Sequence, residues 1–378
     1  MSFNTAFYKD VRDDVSAYMK QLREFSKMES SKKMDLNNKV LFTEMRRGMF
    51  NNEYIDRLVL FLKGTGCVLA TETGGCTFCG FYNATNFGVK IPDNDYIEQV
   101  KNVLNDKEID FSSIPVVCFY NDGSLLREEE ISFKTLLKII SIINEKDSIK
   151  KITLEARIED ITEDKLSEIK KVTNKEIEIA VGFESANPII RDLCINKSFE
   201  NRIFEEKCKL AKKYGISIVP LLLLKPPFLT EHEAIEDYIN SLEYLEKFNL
   251  KRIDMELLTV EKFTMVFDLW QKKMFNPPKL WSVIEVLKKR EEKGLKTPLY
   301  ISPASYSVPA EAKTSNCHKC DDSINRAIEN YNKSGDISIL KDIECSCKKE
   351  WIDLKTQENL NENLLERINQ ILKQLKAK

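Results

Sequence analysis

The chain has 378 residues, 58 basic against 60 acidic, a net charge of −2 and 42% apolar residues. That apolar share builds a core for two or three domains, or for one large α/β domain with appendages, and no apolar run approaches the ~20 residues that span a bilayer. The lack of a basic surplus excludes a dedicated nucleic-acid binder held by phosphate contacts alone, and two histidines, His232 and His318, exclude histidine-rich metal or acid–base chemistry.

The opening stretch, MSFNTAFYKDVRDDVSAYMK, alternates charge and lacks the basic-then-apolar layout of a signal peptide. A cytoplasmic, non-membrane protein is expected. Ten cysteines in a reducing compartment point to metal rather than to a disulfide framework. Residues 5–50 read as polar helices with apolar anchors at Tyr18, Met19, Leu22 and Phe25. IDRLVLFLKGTGC then reads as a buried strand ending at Gly64 and Gly66, feeding a loop that carries Cys67, Cys76 and Cys79.

From there strands alternate with helices. PVVCFYNDGS precedes helical SFKTLLKIISIINEK, and KKITLEARIED precedes TEDKLSEIKKV. EIEIAVGFESAN precedes FENRIFEEKCKLAKKYG, ISIVPLLLLKPP precedes TEHEAIEDYINSLEYLEKF, and KRIDMELLTV closes the series. About six such units predict a parallel sheet with crossover helices, a partial (β/α)6 barrel. Apolar runs such as Val219–Leu224 suit strands covered on both sides. Each strand ends in a polar cluster: the cysteine loop, NDGS, EAR, FESAN and KPPF. Parallel barrels gather their active sites at that rim.

After residue 275 the texture changes. A Pro-started helix, NPPKLWSVIEVLKKREEKG, precedes CHKC and, after 24 residues, CSCKKEW. Cys317, Cys320, Cys345 and Cys347 form a metal-binding extension, with tetrahedral zinc as the simplest occupant, a second iron–sulfur cluster as the alternative and His318 as a substitute ligand. Lys313, Lys319, Lys348 and Lys349 hint at RNA contact, diluted by Asp321, Asp322, Glu344 and Glu350. Leu360, Leu364, Ile368, Leu372 and Leu375 make one stripe on a terminal helix, which must dock. The division expected is an N-terminal helical segment at 1–50, the barrel at 51–275 and the extension at 276–378. Cys118, Cys194 and Cys208 read as core residues, and His232 as a surface residue at a helix start.

Three clustered cysteines without a fourth are compatible with structural zinc and a distant ligand, or with buried thiols. They also fit a [4Fe–4S] cubane. Four thiolates close such a cluster, whereas three leave one iron open. An open iron can take the amine and carboxylate of S-adenosylmethionine, and an electron passed to the sulfonium then frees a 5′-deoxyadenosyl radical. Phe78 can shield that cofactor from solvent.

The C-x2-C with its interposed aromatic, after the first strand, resembles the radical S-adenosylmethionine (radical SAM) superfamily, although the spacing to Cys67 is wider than the common C-x3-C. GCVLATETGGCTFCGF, YNDGSLL, LEAR, VGFESAN, LLLLKPPFLT, LWSVIEVLK and CHKC…CSCKKEW, in that order over about residues 40–352, resemble the family of archaeosine-synthase radical subunits (RaSEA). The resemblance implies a lyase that breaks a C–N bond in the lysine adduct of 7-cyano-7-deazaguanine in the D-loop of tRNA. It also implies a lysine transferase partner, ArcS. It places Asn121, Asp122, Gly123 and Ser124 beside the methionine amine. Arg157 would take the cofactor carboxylate and Glu155 the amine or a ribose hydroxyl. Glu184 and Ser185 would meet the ribose, with Leu223, Leu224 and Lys225 near the adenine. Another radical enzyme acting on RNA or a metabolite, and a non-catalytic metal-stabilised RNA-binding subunit, are the competing readings.

Overall fold

About six strand–helix alternations become one sheet because the strands carry apolar runs that need cover and each crossover helix has one apolar face to supply it. A computed structural model describes residues 5–30, 37–51, 53–303, 309–357 and 362–377. The chain opens with α1 (Thr5–Ser30), the antiparallel pair β1 (Phe42–Phe50) and β2 (Glu53–Phe61), the short α2 (Val68–Thr73) and α3 (Asp93–Leu104). There follow β3 (Val116–Tyr120), α4 (Phe133–Asn144), β4 (Lys151–Glu155), α5 (Glu163–Val172), β5 (Glu176–Glu184) and α6 (Asn201–Lys213). Next come β6 (Ser217–Leu224), α7 (Glu231–Glu246), β7 (Ile253–Leu257), β8 (Thr259–Val260), α8 (Met265–Gln271), α9 (Leu280–Glu292) and β9 (Leu299–Ile301). β10 (Ala312–Lys313), α10 (Asp321–Ser334), α11 (Ser338–Lys341), α12 (Cys347–Gln357) and α13 (Leu364–Lys376) complete it.

The main sheet runs β1-β2-β3-β4-β5-β6-β7-β9, with only the β1–β2 pair antiparallel. It curls into a half-barrel, and the Tyr300 hydroxyl on β9 donates to the Arg47 carbonyl on β1 at 2.9 Å, tying one sheet edge to the other. The α/β partial barrel with a cysteine-bearing extension stands as expected. Helix starts follow the sequence: Ser132, Thr162 and Thr264 accept from backbone N–H groups as N-caps, and Thr230 with Glu233 forms a full capping box.

Two segments differ from expectation. Residues 42–50, read as helix, form the edge strand β1, in which Glu44, Arg46 and Gly48 alternate with more exposed neighbours. β9, only three residues long and beyond residue 275, adds a seventh parallel strand beside β7. Of the α1 anchors, Met19 and Leu22 are buried, Tyr18 is half-buried and Phe25 is 58% exposed. The terminal stripe docks: Ile368, Leu372 and Leu375 share a core with Val11, Val15 and Met19 of α1. Leu360 lies outside the described residues. Cys118 and Cys194 are core residues, Cys208 is partly buried, and His232 sits half-buried in the first turn of α7. Among the described residues no helix is long and apolar enough to cross a membrane.

Candidate active site and metal centre

Alternate residues of neighbouring strands face one cavity of about 270 Å³ inside the half-barrel: Ala180, Gly182 and Glu184 of β5, Leu221 and Leu223 of β6, Asp254 and Glu256 of β7. Cys67, Cys76 and Cys79 lie in its wall at the C-terminal rim, with Phe78 beside them. Cys67 begins α2, and the chain turns back at Gly74, whose φ of 84° suits glycine and whose Cβ would stand 2.5 Å from that of Met19 on α1. The loop is then pinned from three sides. Thr77 donates from its hydroxyl to the Cys194 carbonyl at 2.5 Å and accepts at its carbonyl from Val266 N–H at 3.2 Å. Asn196 donates to the carbonyls of Thr73 and Gly75, both at 2.8 Å.

The third tie was not read from the sequence. Arg23 of α1 is buried and donates to the carbonyls of Gly74 (2.8 Å), Cys76 (3.3 Å), Cys79 (2.8 Å) and Phe263 (3.3 Å). Burial pushes the Cys67 thiol up to about 12, with Glu130 and Cys76 adding to it, and raises Cys76 and Cys79 as well, while Lys197 and Arg23 oppose the rise at Cys76.

The NDGS turn follows β3. Glu155 accepts from the N–H of Asn121 at 2.6 Å and of Gly123 at 3.2 Å, so it is committed to shaping the turn. Glu130, absent from the sequence reading, accepts from Ser124 N–H at 2.6 Å, from the Asn121 amide at 3.2 Å and from Val68 N–H at 2.9 Å. It clips the turn to the cysteine loop. A Cβ on Gly123 would collide with the Glu130 carboxylate, which explains the glycine. Burial raises Glu130 and Glu155 to about 7 against their N–H donors. Asn121 and Ser124 are fully buried and do not line the cavity; Asp122 and Gly123 do. Asp122 adopts φ 59° and keeps Oδ2 buried without a partner.

β4 ends at Glu155 rather than carrying both charged residues, yet Glu155 and Arg157 both reach the cavity. Arg157 bonds Glu159 through Nη2 at 2.9 Å and leaves Nε and Nη1 buried and unpartnered. At the end of β5, Glu184 (φ 64°) pairs at 3.1 Å with Lys197, the third residue the sequence reading missed. Ser185 is fully buried and away from the cavity, its hydroxyl given to Asp237 at 2.7 Å. Leu224 lies in the outer core and Lys225 pairs with buried Glu231 at 2.7 Å, so neither lines the cavity, whereas Leu223 does. Glu261 accepts from Thr259 at 3.0 Å and keeps Oε2 unpartnered in the wall, with burial raising it to about 7.

The extension gathers its four cysteines as expected. Sulfur separations are 3.4 Å for Cys317–Cys320, 3.7 Å for Cys317–Cys345 and 3.6 Å for Cys320–Cys347, and all four lie within 4.8 Å of one another. Trp281 Nε1 donates to Cys347 Sγ at 3.3 Å. Cys317 is lowered to about 7, chiefly by the hydrogen bond from Cys320. His318 is exposed and outside the group.

Three thiols at the rim of a parallel half-barrel, with Arg157 keeping Nε and Nη1 and Asp122 keeping Oδ2 unpartnered beside them, offer ligands for a metal group and polar atoms for a zwitterionic molecule. The chain belongs to the radical SAM superfamily, whose profile matches residues 63–240, and it is a radical SAM enzyme. It is 32% identical to an uncharacterized protein of Methanocaldococcus jannaschii over 93% of this chain and 96% of that one. It is 29% identical to archaeosine synthase subunit beta of Methanosarcina acetivorans over 80% of this chain and 86% of that one. The corresponding subunit of Thermococcus kodakarensis is 28% identical, over 78% and 90%.

Proposed function

We propose that the protein is the radical subunit of an archaeosine synthase: a lyase that, after hydrogen abstraction from a lysine carbon, breaks a C–N bond in lysine-modified deazaguanine of tRNA, alongside a lysine transferase. When bound, a [4Fe–4S] cluster on Cys67, Cys76 and Cys79 supplies the electron that cleaves S-adenosylmethionine to methionine and a 5′-deoxyadenosyl radical. The observation that carries the reading is the meeting, in one cavity, of three thiols with the unpartnered Arg157 Nε and Nη1 and Asp122 Oδ2. Arg157 offers a fork to the cofactor carboxylate and Asp122 an acceptor to its amine. Glu155 and Glu130 hold the turn that presents Asp122. Glu184, paired with Lys197, would meet a ribose hydroxyl, Leu221 and Leu223 in the cavity wall would pack on the adenine, and Phe78 would exclude water. The likeness to two archaeosine synthase beta subunits supports the substrate class.

For the extension we propose zinc. Tetrahedral Zn–S bonds of about 2.3 Å place sulfurs about 3.8 Å apart, close to the 3.4–3.7 Å separations here. A cubane binds each cysteine through a different iron and spreads the sulfurs further. The test is anaerobic: reduced, reconstituted protein converts S-adenosylmethionine to 5′-deoxyadenosine, Cys76→Ala abolishes this, and incubation with lysine-adduct tRNA yields archaeosine by nucleoside mass spectrometry. Iron, sulfide and zinc analysis against a variant lacking the four tail cysteines should lose zinc and keep iron. Cofactor cleavage with no change in that tRNA would assign a different radical reaction.

A further inference from the structure

The inner face of β2 carries a cation that the cofactor chemistry leaves unused. Arg57 stands four residues before Phe61, roughly 13 Å along the strand from the rim. It lines the cavity that the cysteines line, yet its guanidinium makes no hydrogen bond or ion pair with any described residue, and Nε is buried. Its close companions are the Tyr300 ring, 5.4 Å from Cζ, and Gly48, where a Cβ would stand 3.0 Å from its Cδ. The groups acting on it most strongly are Cys118, Tyr120, Tyr300 and Arg252, none of them a carboxylate.

The floor beneath sharpens the point. Glu178 is spent on Arg252 (2.9 Å) and Lys151 (3.2 Å), and Asp254 on Arg252 (2.6 Å). Arg57, Lys151 and Arg252 therefore face two carboxylates already in use, a local excess of one positive charge. An enclosed guanidinium without a counter-ion is costly, and a carboxylate fits its fork in two parallel bonds. Glu256, the next inward residue of β7 towards the rim, lines the same cavity and accepts from Ser302 at 2.8 Å. The cofactor carboxylate has its own partner in Arg157 at the rim, and an RNA phosphate does not reach a position this far inside the half-barrel.

We infer that Arg57 anchors the carboxylate of an α-amino-acid group carried by the substrate, with Glu256 towards the ammonium. This rests on the lysine-adduct reading and adds which end of the lysine enters the barrel first. The test compares two tRNA adducts, one built from lysine and one from 1,5-diaminopentane, which lacks the carboxylate, in wild type, Arg57→Gln and Arg57→Lys. Iron content per chain checks folding and loading. Wild type should prefer the lysine adduct in kcat/KM by roughly 10- to 100-fold, Arg57→Gln should treat both alike, and Arg57→Lys should restore part of the preference. An undiminished preference in iron-loaded Arg57→Gln would overturn the anchor alone. Turnover of neither adduct by wild type that cleaves S-adenosylmethionine would overturn the lysine-adduct reading and the anchor with it.

Discussion

Glu130 is the side chain from which both halves of the rim hang, one oxygen on the cysteine loop and the other on the NDGS turn. Glu130→Ala leaves Val68 and Ser124 N–H groups in a dry site, at a cost of about 1–3 kcal/mol each. We expect a large loss of iron per chain and a lower denaturation midpoint, with Glu130→Gln intermediate because it retains one acceptor. Nothing in the sequence marks this residue: it is the third of three consecutive glutamates, and only the fold turns it inward. Asp122, Arg157 and Glu184 were legible because each stands at or just past the end of a strand, where a parallel barrel presents its rim. Ser185 and Lys225 carried the same positional signal, and their partners Asp237 and Glu231, distant in sequence or inside the next helix, draw them away. Asp237 itself gives a pH prediction. Burial raises its carboxyl from 3.8 to about 7, opposed by the Ser185 bond. The folded form thus keeps a proton that the unfolded chain releases near 4, so this residue's contribution to stability is full below pH 4 and is lost as pH rises to about 7. Asp237→Asn cannot ionise. Urea titrations should show its stability relative to wild type rising between pH 4 and 7 and levelling at about 4 kcal/mol above.

Among the elements, α1 has the largest effect for the weakest sequence signal. Its charged face hides an apolar row, Val11, Val15, Met19 and Leu22, that packs with α13, and Arg23 lies next to that row. Six strands, β2 to β7, were readable as apolar runs bounded by turn residues. β1 was not, because an edge strand with charged residues on both faces has no apolar alternation, and β9 is too short to show any period. Arg23 serves four carbonyls, three on the cysteine loop and one at Phe263, which one ammonium cannot span. Arg23→Lys should therefore assemble the barrel with a near-normal melting curve yet bind iron weakly, losing it to a chelator faster than wild type does. Leu372→Ala, which hollows the α1–α13 contact, should instead cost about 2–5 kcal/mol in thermal or urea unfolding.

At the scale of the whole molecule, charge governs how the proposed tRNA substrate would be met. With 58 basic against 60 acidic side chains, no long-range attraction to phosphate exists. The groove of about 800 Å³ between the β1–β2 hairpin and α10 illustrates the balance: Arg46, Arg47, Lys313 and Arg326 line it together with Glu44, Asp322 and Glu329. Near the cysteine extension, Lys348 is already paired with Glu344 at 2.6 Å. The few unmatched cations can neutralise only a few phosphates, and each neutralised phosphate contributes about 0.9 to the salt slope. The isolated subunit should bind tRNA with a Kd of roughly 10⁻⁴–10⁻⁶ M near physiological salt, the range of non-specific association, and with a shallow dependence on salt. Adding the proposed lysine transferase partner should tighten binding and steepen that dependence, because the missing cations would then come from that partner. Filter binding of one labelled tRNA across a salt series, with and without the transferase, measures both quantities. Tight, strongly salt-sensitive binding by the subunit alone would mean that a basic surface forms from residues whose charges are matched here.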